Sequence, residues 1–289
     1  MANALSFLSQ AYKAHLLLED PRTYDYFSTL FNADTSTIQM INVGGSVGVA
    51  GLVTASWEKG SQSSVHALGW KDRDFGRDNV LKWKNKGTHV FYGKMHEIEN
   101  YMLDWKALAG CDLAIRYKKQ AIDYRQEALK IAKGILYDTV CCDVLYSLHF
   151  EYTQGFPPTP RKAKPKVVIG SRKDVENYLL SNAWISNRPG SVIKIFSNKA
   201  LKKRIVEAEK RYQDALNSSK GNWRAIFPGK EIFEELIRSV YRGKKVDGGS
   251  VSVSDMVKSI AEYQRRNGIP KELSKFMGEV RRRQDNGLL

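Results

Sequence analysis

The chain has 289 residues, 42% of them hydrophobic, and carries a formal charge of +15. Length and apolar share support one good core with a smaller appended one and exclude a disordered tail. No stretch reaches the roughly eighteen uncharged apolar residues of a membrane helix. Residues 1–10 lack the basic and apolar regions of a signal peptide, and the three cysteines (Cys111, Cys141 and Cys142) include no CxxC pair. A cytosolic protein without membrane anchor, disulfide framework or structural zinc is expected.

In chain order, residues 14–18 form a short apolar run that Glu19 closes. After Pro21, a helix is predicted over 24–31 with Tyr24, Phe27 and Phe31 on one face. Residues 37–43 read as a strand, and Gly44-Gly45-Ser46-Val47-Gly48 as a turn opening a helix over 49–57. This glycine run, continued by Gly51, lacks the Gly-Lys-Ser/Thr of a P-loop and the dinucleotide fingerprint. It reads as a tight turn, with a phosphate contact as the alternative. Residues 64–70 form a third strand, after which Asp72 and Asp74 follow, and 88–92 a fourth. Strands alternating with helices predict an α/β fold with a parallel sheet, whose function gathers at the carboxyl ends of the strands. Glu19, Asp72 and Asp74 are all placed there.

Beyond residue 96 helices dominate. Ile122, Leu129, Ile135, Leu136, Val140, Val144, Leu145 and Leu148 keep an approximate helical period over 117–152, interrupted at Gly134. One long helix, a broken one or a hairpin is expected, and its length makes it the expected contact of a homodimer. Phe156-Pro157-Pro158-Thr159-Pro160 reads as a linker. Helices are predicted over 199–217 and 228–241, the second with the stripe Ile232, Phe233, Leu236, Ile237, Val240 and Tyr241. Residues 243–250 read as a loop, and Ser254 as the cap of a last helical region. The chain divides into a catalytic part over 1–110, a long helical insertion over 111–157 and a basic, mainly helical C-terminal region over 158–289.

Lys and Arg number 46 against 31 Asp and Glu. Fourteen of the 46 lie between residues 161 and 211, against Asp174, Glu176, Glu207 and Glu209. Such a segment suits a phosphate backbone, with Lys202, Lys203, Arg204 and Lys71 as contacts; an acidic protein partner is the alternative. Glu19, Asp72 and Asp74 suit a hard cation, Mg²⁺ or in its place Mn²⁺, because such ions take carboxylates, water and substrate phosphates. Asp72 and Asp74, at i and i+2, point to one side of an extended chain. After the fourth strand, His96-Glu97-Ile98-Glu99-Asn100-Tyr101 opens a helix. It reads either as an ordinary acidic first turn or as a source of further ligands, Glu97 or Glu99, with His96 as proton carrier or phosphate contact. Lys94 or Lys71 would offset charge in a transition state. Asp174-Val175-Glu176-Asn177-Tyr178 echoes the motif and reads as chance or another helix start.

Leu16-Leu17-Leu18-Glu19-Asp20, Gly69-Trp70-Lys71-Asp72-Arg73-Asp74-Phe75 and His96 to Leu103 resemble, in order and spacing, the motifs of TOPRIM domains. They look closest to the OLD-type family, which includes AriB-like effectors of the PARIS anti-phage systems. Asn222-Trp223-Arg224-Ala225-Ile226-Phe227-Pro228-Gly229-Lys230 also looks like a segment of that family. The resemblance implies a Rossmann-like parallel sheet in which the Glu and the DxD acids bind Mg²⁺ for phosphodiester cleavage. It further implies a toxin that cuts tRNA, is held by an ABC-type ATPase partner until a phage protein releases it, and acts as a dimer. Asp20 stands where many TOPRIM proteins have Gly, and Thr23 where they have a second acid, so Asp20 or Asp25 is expected to share in the metal site. A DNA nuclease or nickase on the same fold, or a non-catalytic basic scaffold, remains the alternative. Without Walker motifs, ATP dependence has to come from another chain.

Overall fold

The computed structural model describes residues 11–12, 14–58, 66–73, 75, 89–117, 122–152, 167–181, 197–219, 221–241, 245–246 and 249–286. Asp74 and the proline-rich residues 156–160 lie outside the described residues. The sheet has four parallel strands, β1 (Ala14–Leu18), β2 (Ile38–Asn42), β3 (Ala67–Lys71) and β4 (Val90–Tyr92), in the order β2-β1-β3-β4. All five residues of β1 are buried, as expected of a parallel strand covered on both faces. Leu18 pairs with Asn42 on one side and Trp70 on the other, so β1 and β3 end side by side.

Helix α1 (Pro21–Leu30) starts earlier than the sequence pattern suggests, because Asp20 caps it, accepting from the backbone N–H groups of Arg22 and Thr23, with Pro21 at the first position. A 3-10 turn (Asn32–Ser36) leads into β2, and α2 (Ser46–Trp57) leaves it through Gly44, whose φ of 78° and that of Gly45 at 153° suit glycine. Helix α2 covers one face of the sheet, where Val49 and Val53 meet Leu17 and Ala67. It sits down on Gly69: a Cβ there would stand 2.4 Å from a Val49 methyl.

The opposite face is closed by α1 together with a helix from the far end of the chain. After the short helices α3 (Glu99–Met102), α4 (Trp105–Gly110) and α5 (Asp112–Arg116) come α6 (Tyr124–Gly134), α7 (Leu136–Tyr152), α8 (Arg172–Ser181) and α9 (Asn198–Asn217). A 3-10 turn (Asn222–Ala225), α10 (Gly229–Tyr241), the antiparallel strands β5 (Lys245–Val246) and β6 (Gly249–Ser250), α11 (Val253–Asn267) and α12 (Lys271–Asp285) complete the order. Residues 243–250, expected as a plain loop, thus contain a two-strand pairing. The cap of α11 is Ser252, in a reciprocal bond pair with Asp255, rather than Ser254. Gln264 of α11, fully enclosed, accepts from Tyr26 Oη of α1 at 2.5 Å and donates to the Tyr101 carbonyl at 3.0 Å. Phe276 of α12 enters an aromatic cluster, 4.8 Å from Trp70, 5.2 Å from Phe91 and 6.1 Å from Phe27 by ring centres.

Among the described residues, one main core cluster includes members from Ala14 to Val280 and takes in residues of all three sequence segments. The predicted 117–152 helix is broken at Ile135 into α6 and α7. Its apolar face, including Ala132, Val140, Val144, Leu145 and Leu148, is buried within the chain. Helix length therefore supplies no argument for a dimer contact there. No helix among the described residues is long and apolar enough to cross a membrane.

Truncating Phe276 tests whether α12 completes the sheet. Phe276→Ala should cost about 3–5 kcal/mol in a denaturant titration, the usual range for an enclosed aromatic ring. A loss below about 1 kcal/mol would mean that α12 merely lies on the surface.

Candidate functional site

Because β1 and β3 are neighbours, the residues that follow them meet at the carboxyl edge of the sheet. Glu19 Oε2 accepts from the Asp72 backbone N–H at 3.2 Å, and Asp72 Oδ1 accepts from the Ile98 N–H at 3.0 Å. One chain of bonds thus joins the end of β1, the end of β3 and the segment after β4. Both acids are half-buried. Asp74 lies outside the described residues, among which no group of three or more His, Cys, Asp or Glu is placed to hold a metal ion. Two carboxylates delivered to one strand edge still fit Mg²⁺, which commonly takes one or two carboxylates and completes its shell with water and phosphate.

The other expected ligands have different partners. Glu97 Oε2 accepts from the Lys230 N–H at 2.7 Å, in the first turn of α10, where a carboxylate also meets the positive end of the helix dipole. Glu99 is buried and bound by Arg22: Nη1 lies 2.5 Å from its carboxylate, and Nη2 lies 2.8 Å from Glu234 of α10. Burial pushes the Glu99 carboxyl above its ordinary value, against the pull of Arg22 toward the charged form. Asp20 serves as the cap of α1, and Asp25 accepts from Ser254 Oγ at 2.7 Å with Lys258 at 3.7 Å. These two acids line a cleft of about 360 Å³ together with Arg22, Glu99 and Lys230.

His96 is enclosed, with neither ring nitrogen hydrogen-bonded. Its ring meets Phe75 edge-on at 4.6 Å, and Nδ1 lies 3.7 Å from Glu97. Burial, with Arg73 adding to it, lowers its pKa to about 3. The ring is therefore uncharged at neutral pH and offers a phosphate no cation.

Asn100 is the residue that the sequence reading passed over. Its Oδ1 accepts from the Glu97 N–H at 2.7 Å, and its Nδ2 donates to the carbonyls of Arg224 at 2.5 Å and Phe227 at 3.0 Å. A Cβ on Gly229 would stand 2.4 Å from that same Oδ1, so only glycine lets the segment approach. The motifs 96–103 and 222–230 dock on one another. Their separation of more than 120 residues hid the pairing, although both had been singled out.

Among the basic residues, Lys94 is exposed, and its backbone is fixed by Glu272 of α12 at 2.8 Å and by Arg73 at 3.1 Å. Glu272 also accepts from Tyr101 Oη at 2.8 Å. Lys71 Nζ stands 5.5 Å from the Tyr92 ring centre. Four of the basic residues described in this stretch face an acid within the fold. Lys202 pairs with Glu176 at 3.6 Å, Lys203 with Glu207 at 3.9 Å, Arg172 with buried Glu209 at 2.5 Å, and Arg211 with buried Asp143. Arg204, next along the same helix, is half-buried. The echo motif is a helix start, Asp174 accepting from Ser171 Oγ at 2.8 Å.

In comparisons with known proteins, the chain matches no family model, no curated protein and no solved structure.

Arg22 gives a test of the Glu99 arrangement. Arg22→Met leaves a buried carboxylate without its cation, and the loss should be about 3–5 kcal/mol at neutral pH. The folded-state pKa of Glu99 is already raised above 4.5 and rises further in the variant. A group with a raised folded-state pKa loses stability as pH climbs through that value, so the deficit should shrink as pH falls toward the ordinary carboxylate range. Denaturant titrations across the acid-to-neutral range measure this; a deficit independent of pH would show that the lost packing of Arg22 is responsible.

Proposed function

We propose that this chain is a Mg²⁺-dependent nuclease of the TOPRIM type, acting as a tRNA-cleaving effector in anti-phage defence. The observation that supports the chemistry best is the meeting of Glu19 and Asp72 at the carboxyl edge of a parallel sheet, tied by a single hydrogen bond. Glu19 and Asp72, with Asp74 as the third member of the motif, would hold the ion, which in phosphodiesterases supplies an activated water and offsets charge on the phosphate. Lys94, exposed on the loop after β4, would meet an incoming polyanion. Choice of tRNA, restraint by an ABC-type ATPase and activity as a homodimer rest on the motif resemblance. The apolar face of 117–152 described above packs within the chain, so helix length does not support the homodimer.

Glu19→Gln separates site from scaffold, because the amide oxygen still accepts from the Asp72 N–H while the charge is gone. Purified wild-type protein should cut total tRNA only with Mg²⁺ and leave plasmid DNA intact. The variant should melt like wild type and lose no less than the roughly 10–100-fold that follows removal of a group merely orienting a metal ligand. Plasmid cleavage instead would favour the DNA nuclease. Full tRNA cleavage by Glu19→Gln at limiting Mg²⁺ would remove Glu19 from the site.

A further inference from the structure

The cleft of about 360 Å³ lies where the N-termini of α1, α10 and α11 meet, and its walls begin beside the proposed metal ligands: Asp20 follows Glu19, and Glu99 follows Ile98, which holds Asp72. Most of its charged groups are committed. Arg22 gives one Nη to Glu99 and the other to Glu234, and Asp25 takes Ser254 Oγ at 2.7 Å with Lys258 at 3.7 Å. Two have capacity left. Asp20 accepts both cap bonds of α1 through Oδ1, at 2.8 Å each, and its Oδ2 makes no hydrogen bond among the described residues. Lys230 is exposed and gives its backbone N–H to Glu97, while its ammonium has no acid within ion-pair distance among the described residues. Glu234, one turn further along α10, feels that charge but is itself bound by Arg22 at 2.8 Å and Arg238 at 2.9 Å.

The volume lies at the lower end of the roughly 300–1,000 Å³ of small-ligand pockets. Asp20, Asp25 and Glu99 in its walls disfavour a phosphate, because like charges brought together repel. A bare amine would in turn face the Lys230 ammonium. An uncharged planar group that both donates and accepts satisfies the two groups left over, and Pro21 and Val253 supply apolar wall for its faces. Cytosine, adenine and guanine offer an amine with a ring acceptor near it, whereas in uracil the one ring N–H stands between two carbonyl oxygens that would face the carboxylate. We infer that the cleft receives an unpaired nucleobase with an exocyclic amino group, Asp20 accepting from the amine and Lys230 donating to the neighbouring acceptor. The choice of a nucleobase over another group that donates and accepts rests on the nuclease reading, since walls that start at Glu19 and Ile98 would hold the base next to the phosphate that the metal ion meets.

The test uses the full chain in EDTA, where no cleavage intervenes, and saturation-transfer NMR with free nucleosides, which carry no phosphate. Wild type should take cytidine and adenosine about tenfold or more tightly than uridine. Asp20→Asn keeps the cap of α1, because Oδ1 has to stay an oxygen for two N–H groups, and so puts the amide nitrogen where Oδ2 was. The variant should melt like wild type, lose cytidine by about tenfold or more, and gain uridine, whose O4 accepts. A merely structural role for Asp20 predicts no such reversal. Nucleosides that do not bind, uridine held as tightly as cytidine, or an unchanged preference in Asp20→Asn overturns the pocket. So does saturation transfer to free alanine in their place, which would mark a site for zwitterions. Cytidine preferred and then reversed, in a chain that cuts neither tRNA nor plasmid with Mg²⁺, keeps the pocket and removes the nuclease reading; tRNA cleavage by a chain indifferent to nucleosides does the opposite.

Discussion

A single enclosed amide, that of Asn100, ties together what the sequence keeps apart. Its oxygen fixes the backbone at Glu97, and its nitrogen takes two carbonyls from the 224–227 turn. An amide buried to this degree is tolerated only when its bonds are satisfied, so the turn and the segment after β4 have to form together. Gly229 allows the approach, α10 starts there, and the Glu97 carboxylate meets its first turn. Ile98, between these residues, donates to Asp72. The position of a proposed metal ligand at the sheet edge thus depends on helices from the other half of the chain.

The same dependence appears on the sheet face. A parallel sheet needs cover on both sides. Helix α2 supplies one side locally, with small residues and Gly69 permitting close packing. The other side is closed by α1 and α12, whose Phe27 and Phe276 rest against the indole of Trp70, while α11 packs on α1. Arg283 of α12 lies 5.1 Å from the Phe91 ring centre and reaches Glu279 at 2.8 Å, so even the guanidinium there is absorbed into the core. Residues 1–110 carry the proposed chemistry, but residues beyond 250 bury their sheet.

Period and run length were enough to place β1, β2, α2, α9 and α10, because local pattern decides where an amphipathic or fully buried element forms. The meeting of Glu19 and Asp72 was also legible, since parallel strands of similar length end together. What sequence could not disclose was which side chains would be taken up by distant partners. Glu97 and Glu99 stand in a motif that looks like a ligand set, yet Glu99 is bound by Arg22, 77 residues away, and Glu97 by the start of α10, 133 residues away. His96 reads as a proton carrier or phosphate contact, and its enclosed, neutral ring, edge-on to Phe75, offers a phosphate no cation. The apolar length of 117–152 suggested a partner surface, whereas α8 and α9 pack against α7 and its face joins the main core.

Charge shows the difference between composition and structure most clearly. By count, residues 161–211 are the basic region, but Arg172 and Arg211 hold the buried acids Glu209 and Asp143, and Lys202 and Lys203 lie beside glutamates. A guanidinium spent on a buried carboxylate stabilises the fold and adds little field to the surface. Arg224 lies outside any dense basic run, yet it is desolvated, its Nε is buried without a hydrogen-bond partner, and the acid that acts on it, Asp104, forms no ion pair with it among the described residues. What makes a cation available to a polyanion is the absence of an internal counter-charge, and local density of Lys and Arg along the chain is a poor measure of it.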